Sequence, residues 1–71
     1  MRSVKLKRAK ATLAMMLDVE PTTSMAALID LVDARFRVVI DRKPTDKQGM
    51  ANLLISMSLS AHTLKPRAEL Q

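Results

Sequence analysis

Apolar residues recur every three or four positions through three stretches of the chain, and two proline-containing segments separate them. In the first stretch Leu6, Ala9, Leu13, Met16 and Leu17 make one helical stripe, which predicts a helix over about residues 4–18. The second opens after Pro21 with Thr22, Thr23 and Ser24, any of which suits a helix N-cap. Met25, Leu28, Leu31 and Val32 then form a buried stripe with Asp30 and Asp33 outward, a helix over about 23–34. Phe36, Val38 and Ile40 alternate with Arg37, Val39 and Asp41. That period of two predicts a short strand over 36–40.

The third stretch has the clearest start. Thr45-Asp46-Lys47-Gln48 has the spacing of a capping box, with Thr45 as N-cap and Gln48 three positions on. Met50, Leu53, Leu54, Met57, Ala61 and Leu64 follow on one face, Ile55 and Leu59 widen it, and Lys65-Pro66 ends it, so the helix is expected over about 46–64. No charged residue occurs from Gln48 to Leu64. Such a face is broader than a short monomer easily covers, so Met50, Leu53, Leu54, Met57 and Leu64 are expected to form a homodimer interface.

The fold expected is therefore mainly α: three helices, a short strand and one small domain spanning residues 1–71. A chain of this length buries only about 60% of its unfolded surface. It has no cysteine, so neither a disulfide nor a thiolate metal site supplements the core. Oligomerisation is the remaining route to more burial. A single glycine argues against an all-β meander. Five internal methionines read either as gap-filling core residues or as an adaptable binding surface. The basic N-terminus is not followed by an apolar core and a small-residue cleavage site, and no stretch is apolar enough to span a bilayer. A soluble, cytoplasmic protein with no membrane partner is expected.

Charge changes the picture. The net charge is +5, and Arg2, Lys5, Lys7, Arg8 and Lys10 supply all of it within the first ten residues. Beyond them seven basic residues balance seven acidic ones. Cations in a first helical turn oppose the positive end of the helix dipole by about 0.3–1 kcal/mol each, so a helix built for stability alone would not place them there. A basic arm on a neutral body suits a polyanion, since each cation that meets a phosphate releases a counterion. Arg35, Arg37, Arg42, Lys43 and Lys47 form a second basic group. With no Trp or Tyr and only Phe36, the chain lacks stacking platforms for single strands, which leaves double-stranded DNA as the better polyanion.

Little points to catalysis. His62 has no acid or nucleophile at helical spacing, and Ser56, Ser58 and Ser60 have no base. There is no metal-ligand cluster and no glycine-rich phosphate loop. No enzyme activity, cofactor, metal or small-molecule substrate is expected.

The residue order from Leu13 onward is similar to a known family. Leu13-Ala14-Met15-Met16-Leu17, Glu20-Pro21-Thr22-Thr23-Ser24-Met25, Leu28-Ile29-Asp30-Leu31-Val32-Asp33-Ala34 and Phe36-Arg37-Val38-Val39-Ile40 resemble the second half of Xre-type helix-turn-helix regulators of the HipB and HigA antitoxin kind. The resemblance covers about residues 4–40. It departs from the family where Ala34 runs directly into Arg35 rather than Leu-Gly, and in lacking the helices that precede the recognition helix. It implies that Lys5, Lys7, Arg8, Lys10 and Thr12 fall on or near a recognition helix.

These readings converge on a dimeric DNA-binding regulator that contacts duplex through Arg2, Lys5, Lys7, Arg8, Lys10, Thr12, Arg42 and Lys43. The competing expectation is a phage- or plasmid-type interaction protein that docks on a host protein or nucleoprotein and inhibits or redirects it.

Overall fold

The computed structural model describes residues 3–67, the side chain of Ser3 aside. Three helices form the body: α1 (Ser3–Leu17), α2 (Met25–Arg35) and α3 (Lys47–Leu59). A two-residue strand β1 (Phe36–Arg37) follows α2, and a 3-10 turn (Ala61–Thr63) leads from α3 to β2 (Lys65–Pro66). The mainly helical class and the helix count match the sequence pattern. α1 packs on both other helices, most extensively on α3.

The core is small and wholly apolar. Ala9, Leu13, Ala14 and Leu17 from α1 meet Leu28, Ile29 and Val32 from α2 and Leu54 and Met57 from α3. Ile29 takes the buried place expected of Leu31, which is only partly covered, as are Met25 and Met16. Burying Leu13, Leu17, Leu28, Val32 and Leu54 completely is worth about 1.5–3 kcal/mol each, which makes this cluster the main source of stability.

Local chemistry sets the helix ends. α1 stops in a Schellman motif: the Val19 amide donates to the Ala14 carbonyl at 3.0 Å and the Asp18 amide to that of Met15 at 3.3 Å. Asp18 occupies the left-handed position at φ 58°, where aspartate is tolerated better than most residues but glycine is easier. A turn at Pro21 follows, closed by the Thr23 amide and hydroxyl, both donating to the Glu20 carbonyl. Of the three N-cap candidates before α2, Ser24 takes the role, its hydroxyl accepting from the Ala27 amide at 3.2 Å.

α3 departs from its expected limits at both ends. Asp46, not Thr45, is the N-cap, and its side chain makes no cap bond. The Asp46 carboxylate and Pro44 instead crowd Gly49, where a Cβ would lie 2.6 Å from Asp46 Oδ1 and 2.7 Å from Pro44 Cβ. The anticipated capping box does not form, and glycine at 49 is required by space. At the other end the helix stops at Leu59 rather than Leu64. Ser58 donates to the Ile55 carbonyl, Ser60 to Ser56 and Thr63 to Ser60. Hydroxyls so placed compete with the backbone ladder and weaken it around the point where α3 ends.

The strand is shorter than its pattern. Phe36 and Arg37 pair antiparallel with Pro66 and Lys65. Residues 38–40 keep the alternation, with Val38 and Ile40 against the core and Val39 in solvent, but are not part of the ladder. Alternating burial was legible in the sequence; the partner strand, just two residues long, was not.

Charged contacts hold the later segments onto α2. Lys43 Nζ lies 3.1 Å from Asp30 Oδ1 and 3.2 Å from Asp33 Oδ2. Arg67 donates through Nε to the Asp33 carbonyl at 2.7 Å, with Nη2 3.7 Å from Asp33 Oδ1. Arg35 reaches back to donate to the Leu17 carbonyl at 2.6 Å, satisfying an open acceptor at the end of α1.

Candidate nucleic-acid interface

α1 carries Lys5, Lys7, Arg8 and Lys10 and no acid at all. Its packed side is fixed by Ala9, Leu13 and Leu17, so helical geometry sends the cations elsewhere. Lys5, Arg8 and Thr12 share one exposed flank. Lys7 lies on the other flank, also exposed, and Lys10 is half-buried nearer the packed side. Between the flanks runs an outward strip of Val4, Ala11 and Met15. Arg2 lies outside the described residues.

Among the described residues none of these four cations has a carboxylate partner; the ion pairs formed are those of Lys43 and Arg67. Within the described residues, then, these cations can meet an external anion without breaking an ion pair.

The second basic group behaves differently. Lys43, expected to touch DNA, is occupied by Asp30 and Asp33, which hold its ammonium above the ordinary lysine range, the Asp30 hydrogen bond contributing most. Arg35 spends its guanidinium on the Leu17 carbonyl. Arg42 is exposed and makes no side-chain bond or ion pair among the described residues. The anticipated second patch is thus split: Lys43 is paired and Arg35 serves as a cap, while Arg37, Arg42 and Lys47 have no side-chain partner among the described residues.

The residues expected to form a dimer interface need correction. Leu54 and Met57 are 0% and 3% exposed within a single chain, buried against α1 and α2. Met50, Leu53 and Leu64 pack against the same core and are only partly exposed. The chain covers this broad face itself, since α1 lies across α3. What α3 turns outward is Gln48, Asn52, Ser56 and Leu59.

A groove that the sequence did not disclose runs between α1 and α3. Lys5, Arg8, Ala9 and Thr12 form one wall and Ile55, Ser58 and Leu59 the other, around about 360 Å³. The N-terminal half of α1 thus meets the C-terminal end of α3. This arrangement places Lys5 and Arg8 near the negative end of a second helix dipole, which offsets their mismatch with their own. The only hint in the sequence was the position of Ile55 and Leu59 at the edge of the apolar face.

No helix among the described residues is long and apolar enough to cross a membrane. Comparison with known proteins finds no matching family, no matching curated protein and no matching solved structure.

Proposed function

We propose that the protein binds duplex DNA through α1, as a small regulator would. One observation carries this reading: α1 bears four cations on one helix with no carboxylate partner among the described residues, while Lys43 is held by Asp30 and Asp33 and Arg35 by the Leu17 carbonyl. A helix of 15 residues with one exposed side, cations on both flanks and Val4, Ala11 and Met15 between them, suits a major groove. Lys5, Arg8 and Thr12 would contact phosphates on one side and Lys7 on the other, with Ala11 toward base edges. The helix-turn-helix resemblance assigns α1 the same recognition role. Homodimerisation belongs to this proposal too, through a surface other than Leu54 and Met57.

The test is a fluorescence-anisotropy titration with random duplex at several salt concentrations. The expected result is binding whose log affinity falls with log salt, and a Lys5→Ala, Lys7→Ala, Arg8→Ala triple variant whose slope is shallower by about 0.9 for each phosphate that is no longer neutralised. Equal affinities and slopes for the parent and the variant would remove the proposal.

A second reading, docking on a host protein, is favoured by a specific feature. Leu59 is 76% exposed on the groove wall, and phosphate binding gives a leucine there nothing to do.

A further inference from the structure

We infer that the α1–α3 groove seats an acidic amphipathic helix of a partner protein. Ala9, Ile55 and Leu59 provide an apolar floor and wall, Lys5 and Arg8 stand on one rim, and Thr12 and Ser58 add hydroxyls. A helix laid in a groove reads as apolar anchors at i and i+4. Here the anchors would rest on Ile55 and Leu59, with carboxylates beside them reaching Lys5 and Arg8.

Charge complementarity selects the occupant. The two rim cations have no carboxylate partner among the described residues, so an incoming acid displaces nothing. A duplex would satisfy the cations and leave Leu59 in water. A bilayer takes protruding apolar residues, whereas this surface is concave with Ala9 buried at its base. A second copy of this chain is a poor match: α1 and α3 contain no acid, and Asp30 and Asp33 of α2 are already bound by Lys43 and Arg67. A small ligand buries most of its own surface in a closed pocket. This groove is open along one side and edged by an exposed leucine, which suits a rod instead.

The proposal does not depend on the duplex reading, and the experiment separates them. The probe is a fluorescein-labelled, designed 18-residue helix with Leu at i and i+4 and Glu at the flanking positions. A scrambled peptide of the same composition is the control. Anisotropy with the whole protein should show saturable binding of the designed helix and at least tenfold weaker binding of the scramble. Leu59→Ser, a neutral change at an exposed position that the fold does not use, should weaken the designed helix at least tenfold while leaving duplex affinity within twofold. Amide shifts on titration should centre on Ala9, Ile55, Ser58 and Leu59. Failure of the designed helix to bind overturns the inference. So does binding that Leu59→Ser leaves unchanged, which would mean charge attraction alone, or capture by anionic phosphatidylglycerol vesicles that Leu59→Ser abolishes, which would mean a lipid surface.

Discussion

α1 and α2 are packed side by side yet handle charge in opposite ways. On α2, Asp30 and Asp33 collect Lys43 from the linker and Arg67 from just beyond β2. On α1, four cations stand without an acid. The first arrangement ties distant parts of the chain together; the second contributes nothing visible to folding. A small protein short of core has reason to pair its charges, so the region that declines to do so is the better candidate for an external partner. Mutation should separate the two: changes near α2 alter stability, and changes on α1 alter binding.

The largest stability effect outside the core is expected at Arg35. Its guanidinium donates to the Leu17 carbonyl across 18 residues of sequence, and the bond is partly sheltered. Hydrogen bonds to a charged group are worth about 1.5–3 kcal/mol. Arg35→Met keeps the aliphatic stem and should cost about 1.5 kcal/mol, lowering the thermal midpoint by roughly 6–12 °C for a chain this size. The duplex salt slope should stay as it was. A slope that changed along with stability would mean that Arg35 also contacts DNA and that the division is wrong.

Asp33→Ala comes next. It removes an anion shared by Lys43 and Arg67, both largely solvated pairs whose contribution solvent screens. A loss smaller than that of Arg35→Met is expected in chemical denaturation, with duplex affinity the same or slightly stronger because Lys43 then keeps only Asp30. pH provides a second view. Lys43 titrates higher in the folded protein than in the unfolded chain, so its contribution is fully present below the ordinary lysine value and disappears as pH rises through the folded value. The alkaline limb of the stability profile should flatten in Lys43→Met.

For α1 the expectation reverses. Lys5→Ala, Lys7→Ala and Arg8→Ala together remove exposed cations that oppose their own helix dipole, two of which, Lys5 and Arg8, line the groove beside the C-terminal end of α3. Stability should change by less than about 0.5 kcal/mol, within the range of surface substitutions. Duplex binding is where the loss should appear. Collapse of the fold in this variant, seen by circular dichroism, would place these residues in the structural half of the molecule.

How much of this was legible beforehand differs between fold and site. Three helices followed from apolar periodicity, because burial of Leu13, Leu28 and Leu54 dictates which positions repeat. Helix ends were less legible: Ser58, Ser60 and Thr63 stopped α3 by bonding to carbonyls, a choice that composition alone does not announce. The free cations of α1 could be counted in the sequence. The occupation of Lys43 could not, since it depends on a contact spanning 13 residues. Leu54 and Met57 dropped out of the expected dimer face for a related reason. A pattern says that a face is apolar, and only packing says whether the same chain covers it.

Asp18 gives the smallest and sharpest contrast. It sits at φ 58° just past the end of α1, where the helix dipole is negative, so its charge is misplaced at this end as the cations are at the other. No bond of its side chain is found among the described residues to offset that. Asp18→Asn keeps a residue that tolerates the left-handed conformation and removes only the charge. A gain of about 0.3–1 kcal/mol is expected from the dipole alone, readable in urea as a higher midpoint with an unchanged slope. Because Asp18 lies beyond the last turn of α1, while Lys5 and Arg8 lie in its first two, duplex affinity should rise by no more than the screened effect of one distant charge. If affinity instead rose severalfold at moderate salt, the anion-binding surface would have to extend along the whole of α1, and the flank of Lys5, Arg8 and Thr12 would be only part of it.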